Sequence, residues 1–369
     1  MNVEFNDLNW STSRVKKQYL AKVKKVLDRG DFILTPEVDR FEKSWAKVIG
    51  VKYCAGLSCG ADALYLALVA LGIGRGDEVI TQGNAYNATV TAILRTSAAA
   101  RFADIDPESF RLDISKIEPL INKKTKAILP VHLYGQVNDM TAVKSIARKY
   151  NLMVIEDCAQ AHLAKFKGRM AGSWGDAATF SFYPTKNLGA FGDAGAVVTN
   201  NPRVHEKILA LRNLGQNGKN IHVYLGYNMR LDALQAAVLN LKLPFLKKLT
   251  RMRQVAGAYY DRLIVKTGLP LVPARVGKNS THVYHLYVAQ SVNYDRDKLR
   301  QKLAGLGVQT AVHYPVPVYR QPFYRGPVDP CPVTEQTARR IISLPMFTDI
   351  SRIEQRYVVG AIKKVIAGS

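Results

Sequence analysis

Between about residue 50 and residue 200, short runs rich in β-branched and aromatic residues alternate with stretches whose apolar residues recur at helical spacing. This alternation narrows the accessible folds more than any other feature of the chain. The strand candidates are "EVITQ", "ARFADI", "AILPVHLY", "LMVIEDC", "ATFSFY" and "GAVVTN"; the helical stretches between them are "ADALYLALVAL", "NATVTAILRTS" and "MTAVKSIARKY". Consecutive apolar residues in a strand imply cover on both faces, so the pattern predicts a largely parallel sheet between helical layers.

Beyond the helix pattern "RLDALQAAVLNLKL", Pro244 and a basic run mark an exit from this unit. The remainder reads as a smaller α+β unit. It contains the alternating strand "VYHLYVAQSV", the helix "RDKLRQKLAGLG", a proline-rich loop from Pro315 to Pro332 and a terminal helix from about Arg352. A chain of 369 residues suggests two domains. They are expected at 1–245, with an N-terminal helical segment, and at 246–369.

Charge raises a different possibility. The chain carries 52 Lys+Arg against 29 Asp+Glu, a net +23, which attracts anions at long range. The cations are nevertheless spread through "RVKKQYLAKVKK", "INKKTK" and "LKKLTRMR" without forming a basic arm or an aromatic-interleaved motif, so they read as solvated faces and nucleic acid is not the expected partner. Cys54, Cys59, Cys158 and Cys331 show neither a C-x-x-C pair nor metal-ligand spacing with histidine, and no metal is expected. Unpaired thiols, an N-terminus without an apolar signal core and the lack of a membrane-length apolar run point to the cytoplasm.

The familiar short motifs carry little. "GIGRGD" at 72–77 follows a helix, whereas a dinucleotide loop must follow a strand, so Gly72 reads as a helix C-cap. "GAFGDAG" also misses the dinucleotide spacing, and no G-x-S-x-G elbow occurs. His132, His162 and His313 are too scattered to argue for a metal; His132 reads as a hydrogen-bonded histidine near a strand end.

A constellation of residues carries more. "LMVIEDCAQ" drives an apolar strand into Glu156 and Asp157, and in open α/β sheets ligands gather at such carboxyl ends. Asp157 could equally cap the next helix. "SFYPTKNLGAFGDAG" brings Ser181 within a few residues of Lys186, in front of a run of glycines that would let the backbone approach a ligand closely. "SCGADAL" places the amides of Gly60 and Ala61 at a helix N-terminus, a natural seat for phosphate. An amine, a strand-end carboxylate and a phosphate cradle are the three groups that pyridoxal 5'-phosphate requires: lysine for the Schiff base and a carboxylate to keep the pyridine nitrogen protonated.

In ordered series, "GDEVI" from residue 76, "VHLYG", "VIEDCAQAH", "SFYPTKNLGAFGDAGAVVTNN", "GYNMRLDALQAAVL" and "HYPVP" resemble the DegT/DnrJ/EryC1/StrS family of pyridoxal-phosphate-dependent sugar aminotransferases. The resemblance implies the aspartate-aminotransferase fold (fold type I), an α/β large domain with a mostly parallel mixed sheet plus a smaller α+β domain. It also implies a homodimer with shared active sites. Carried over residue by residue, Lys186 is the Schiff-base lysine and the base, Asp157 meets the pyridine nitrogen, Gln160 the phenolic oxygen and Tyr86 the ring face. Gly60, Ala61 and Ser181 hold the phosphate, with Asn228 reaching it from the partner subunit. Tyr183, His313 and Tyr314 fall on the sugar-nucleotide side. Ala61 replaces the family's usual threonine, so one hydroxyl contact to phosphate is expected to be absent, and Leu163 stands where glycine is usual.

The implied reaction passes an amino group, with L-glutamate as donor, to a nucleotide-linked keto sugar. "KNLGAFGDAGAVVT" is most similar to enzymes acting at C3 of dTDP-3-keto-6-deoxyhexoses. Amination at C4 of UDP, GDP or dTDP sugars is the rival reading, and a non-catalytic nucleic-acid-binding regulator is the rival of another class.

Overall fold

Residues 1–368 are described by a computed structural model in which the alternating runs become strands and helices in the expected order. The strands of the first half are β1 (Tyr53–Leu57), β2 (Glu78–Gln82), β3 (Ala99–Ala103), β4 (Thr125–Leu129), β5 (Met153–Asp157), a small hairpin of β6 (Lys165–Phe166) and β7 (Arg169–Met170), β8 (Ala177–Ser181) and β9 (Gly195–Thr199). Seven of them form one sheet in the order β1-β9-β8-β5-β4-β2-β3. Only β9 runs against its neighbours, pairing antiparallel with β8 and β1.

The helices are α1 (Asn9–Arg29), α2 (Pro36–Ile49), α3 (Gly60–Ala70), α4 (Asn87–Arg95), α5 (Met140–Lys149), α6 (Pro202–Arg212), α7 (Ala233–Lys242), α8 (Leu246–Thr267), α9 (Arg296–Gly305), α10 (Pro332–Arg340) and α11 (Arg352–Ala367). Strand side chains alternate between two covered faces. Leu57, Val79, Leu129, Ile155 and Val197 enter the layer of α3, α4 and α6. Ile80, Ile128, Val154, Phe180 and Val198 enter the layer of α2, α5 and α7. The double burial explains why the strands read as apolar runs. α5 illustrates how its elements are bounded: Asp139 accepts the Ala142 amide at 3.0 Å, and Met140, Val143 and Ala147 form the inward stripe.

Sequence pattern and structure part company in specific places. "AILPVHLY" is not one strand: β4 stops at Leu129, before Pro130, which has no N–H to continue a ladder, and Leu133–Gly135 form a 3₁₀ turn. β1, "YCAGL", escaped the strand reading because small residues dilute its β signal. The basic run after Pro244 is a helix, the 22-residue α8.

The C-terminal half builds a three-stranded antiparallel sheet of β10 (Leu271–Pro273), β11 (Tyr287–Ser291) and β12 (Ile341–Leu344), covered by α8, α9 and α11. α8 packs Leu246 into the core of the large sheet and Ala256, Tyr260 and Ile264 into the C-terminal core. Val3 also lies in the C-terminal core, pairing in parallel with Val308. No helix among the described residues is long and apolar enough to cross a membrane.

Candidate active site

Strand geometry sends the two carboxylates at the end of β5 to opposite faces. Glu156, fully buried, accepts the amides of Gly172, Trp174 and Gly175 at 2.9, 2.7 and 2.8 Å and meets His132 Nε2 at 2.9 Å. Burial alone would raise its pKa, but His132 and these amides hold it below the usual carboxylate value. Ligand atoms of His132, Glu156 and Cys158 lie within 4.8 Å of one another, yet both Glu156 oxygens are already taken. Glu156 and His132 therefore act as a clasp at the sheet end, and His132 is the hydrogen-bonded histidine its position predicts.

Asp157 faces the other way, into a cavity of about 570 Å³ that Lys186 also lines. Its Oδ2 accepts from Thr89 Oγ1 at 2.9 Å and its Oδ1 from the Ala159 amide at 3.1 Å, so a capping contact and a cavity-facing position coexist. Burial raises the Asp157 pKa against those two bonds and the charge of Lys186. Lys186 sits in the loop after β8, where its own amide donates to the Tyr183 carbonyl at 2.8 Å. Burial pushes its ammonium down to about 8, with Asp157 opposing.

At the far end of the cavity β1 leads through Cys59 into α3. A Cβ on Gly60 would lie 2.6 Å from Ser181 Cβ, and one on Gly195 would strike the Cys59 carbonyl. Glycine at both positions lets β8, β9 and the start of α3 close around one corner. Gly60, Ala61 and Ser181 all line it, and the positive end of the α3 dipole opens onto it. The glycines after Lys186 were expected to admit a ligand. Gly189 and Gly195 instead admit the chain's own backbone, at Pro184 and Cys59 respectively.

The remaining residues frame the mouth. The Tyr86 ring stands 5.0 Å from that of Tyr314, tilted by 32°. Gln160 Oε1 accepts the Tyr134 amide at 2.6 Å and its Nε2 donates to the Tyr314 hydroxyl at 3.2 Å, while the Tyr134 hydroxyl donates to the His313 carbonyl. His313 Nδ1 lies 2.8 Å from Ser343 Oγ; burial, helped by Lys186 and Arg300, pushes its pKa down to about 4. Tyr183 is exposed at the edge. Asn228 alone among the expected residues does not line this cavity: it is exposed on the 213–228 loop and pairs with Asn213.

Two residues of the site were missed from sequence. Thr89 lies on α4, and only the fold brings it to Asp157. His285 lines the cavity, buried, with Nδ1 unpartnered. Burial first, then Lys186 and Arg253, hold its pKa well below the ordinary imidazole value. A histidine interrupting the apolar face Val283–Tyr287–Ala289 of "VYHLYVAQ" was the available signal.

An unpaired amine, a buried carboxylate and a helix N-terminus around one cavity fit the donor set of pyridoxal 5'-phosphate. Comparisons with known proteins agree with this chemistry. The model of the DegT/DnrJ/EryC1/StrS aminotransferase family matches residues 13–363. The dTDP-3-amino-3,6-dideoxy-alpha-D-galactopyranose transaminase of Aneurinibacillus thermoaerophilus is 42% identical over 98% of this chain and 99% of its own. A pleiotropic regulatory protein of Geobacillus stearothermophilus is 40% identical over 98% of each chain. Among solved structures, S. venezuelae DesV in complex with a ketimine intermediate superposes with a TM-score of 0.94, at 38% identity over 98% of each chain.

Proposed function

Because the chain belongs to the DegT/DnrJ/EryC1/StrS aminotransferase family, we propose that it transfers an amino group from L-glutamate to the 3-keto carbon of a dTDP-linked 6-deoxyhexose. It is a pyridoxal-phosphate-dependent aminotransferase, with a mostly parallel α/β sheet as its frame. One observation carries the reading: Lys186 and Asp157 face the same cavity, whose far corner is the N-terminus of α3.

When bound, pyridoxal 5'-phosphate supplies an electrophilic carbon for amines and a pyridinium ring that draws electrons from the bond being broken. The chain's residues supply the rest. Asp157, oriented by Thr89 and the Ala159 amide, would pair with the ring nitrogen and keep its proton in place. An opposite charge at ~4 Å is worth roughly 4 kcal/mol at the effective dielectric of such sites, about three pKa units. Lys186, with its pKa near 8, has a free amine fraction at neutral pH and takes up and returns the proton at Nζ. Gln160 would meet the phenolic oxygen, Tyr86 would cover a ring face, and Gly60, Ala61 and Ser181 would hold the phosphate. Tyr183, His313 and Tyr314 receive the sugar nucleotide.

The 213–228 loop exposes Leu214, Ile221, Val223, Tyr224 and Leu225, an apolar patch suited to a second copy of the chain. A homodimer would bring Asn228 to the partner's phosphate corner. The free cysteines, buried except for the half-buried Cys59, are compatible with a reducing compartment, and we assign the enzyme to the cytoplasm on that ground.

Purified protein mixed with the cofactor should develop its absorbance band, and borohydride should fix the cofactor to Lys186. A band that persists unchanged in Lys186→Ala would overturn the reading. With L-glutamate and a panel of keto-sugar nucleotides, activity is expected on the 3-keto dTDP sugar; turnover of 4-keto sugars alone would move the reaction to C4. The rival of another class, nucleic-acid binding, has the +23 charge as its only support, and a DNA titration at physiological salt separates it from the first.

A further inference from the structure

Lys242, the last residue of α7, is 4% exposed. Its Nζ donates to the Gly189 carbonyl at 2.9 Å and stands 4.3 Å from the centre of the Phe191 ring. Burial alone accounts for its lowered pKa of about 8, and no carboxylate among the described residues opposes it. Burying an ammonium against one carbonyl and one ring is costly. The other inward residues of α7 are Ala233, Ala236, Ala237, Val238 and Leu239, so an apolar side chain would suit this position better if packing were its only task.

What Lys242 holds is the loop that carries Lys186. The Lys186 amide donates to the Tyr183 carbonyl and the Ala190 amide to the Phe182 carbonyl, both at 2.8 Å, while Gly189 passes so close to the Pro184 carbonyl that no Cβ would fit. Neighbouring groups are gripped as well: His162 Nδ1 accepts the Leu188 amide at 3.1 Å, and Gln235, also on α7, accepts that of Phe191 at 2.9 Å. Lys186 Nζ, by contrast, makes no hydrogen bond to any described residue. Among the described residues only the charge of Asp157 acts on the amine at its tip, so its aim comes mainly from its backbone.

We propose that Lys242 is a positioning residue for Lys186: by tying the Gly189 carbonyl to α7 it fixes the loop from which the Lys186 amine reaches the reacting carbon. This rests on the reading of Lys186 given above. A misplacement of about 1 Å at a proton-transfer site costs on the order of 100-fold in rate.

The test uses the holoenzyme. Lys242→Met is expected to lower kcat by about 10- to 100-fold, with KM for the keto sugar unchanged and borohydride still fixing the cofactor to Lys186. Hydrogen exchange in the 183–194 segment should accelerate while β2 to β4 stay as in the wild type, and Lys242→Arg, which keeps a cationic donor, should restore both. Should the methionine variant not fold, Lys242→Gln is read the same way. Wild-type kcat and loop exchange in the variant, or exchange that rises equally everywhere, would overturn the proposal. Failure of borohydride to fix the cofactor in the wild type is a separate result, and it removes the parent reading before any Lys242 variant is made.

Discussion

The cavity has two walls of different make. One comes from the large sheet and carries charge: Asp157 at the end of β5, Lys186 after β8 and the N-terminus of α3. The other comes from the C-terminal half and presents neutral groups: His285, His313 and Tyr314. Its backbone is held by a buried cation set back from the cavity, Arg253, which donates to the carbonyls of Tyr284, His285 and Met346 at 3.1, 3.3 and 3.1 Å. The contrast suits the proposed reaction. A cofactor that stays wants fixed opposite charges, whereas two dissimilar substrates that share one seat in turn want hydrogen-bonding groups that favour neither.

The largest expected effect tests the charged wall. Asp157→Asn keeps the shape and removes the charge, and should lower the single-turnover rate by ~10³-fold while the cofactor is still fixed to Lys186. A loss below 10-fold would mean that the wall works by shape.

The neutral wall is tested by acid. Burial lowers the pKa of His313 to about 4 and that of His285 well below its usual value, and it lowers that of His282, which backs this wall without lining the cavity, to about 3. In the unfolded chain each protonates near 6.5. From pH 6.5 down to about 4 the unfolded state therefore binds more protons, and stability falls as pH falls, by up to about 1.4 kcal/mol per histidine per pH unit. This contribution is complete above pH 6.5. Thermal melts should show Tm dropping between pH 6.5 and 5; a flat profile would mean that these rings are already charged in the folded protein.

The smallest effect concerns the backbone of the charged wall. Leu163 has φ of 65°, in the left-handed region, and packs against the core between the sheet and α2. Leu163→Gly relieves strain of roughly 1–2 kcal/mol and loses a comparable amount of burial and chain entropy. Unfolding free energy should change by less than about 1 kcal/mol. A larger loss in denaturant melts would show that the leucine supports the wall by packing.

The same contrast governs what could be read in advance. Asp157, Gln160, Ser181 and Lys186 could be brought to one cavity from the sequence because each ends an apolar strand or follows one within a few residues, and double burial makes such strands conspicuous. Thr89 and His285 could not be, since their meaning arises where distant segments meet. The charge pattern also misled in particular places. Most Lys and Arg read as solvated, yet Arg212, Lys242, Arg253 and Arg296 are buried. All four bind backbone carbonyls: Arg212 at Gly56, Lys242 at Gly189, Arg253 at His285 and Arg296 at Ile341. α8 was hidden for that reason: its inward face runs through Leu246, Leu249, Arg253, Ala256 and Tyr260, and the arginine masks the stripe.

The pairing of Val3 with Val308 has a bearing on order in time. The Val3 amide donates to the Gly307 carbonyl at 2.8 Å, the Gln309 amide to the Val3 carbonyl at 3.0 Å, and the Phe5 ring stacks on His313 at 5.7 Å. The stretch around Val3 must therefore wait until the segment around Val308 has been synthesised before it finds its neighbours. The seven strands of the large sheet, all within residues 53–199, need no such delay. A growing polypeptide thus acquires the frame around Lys186 well before the imidazole opposite has its aromatic backing.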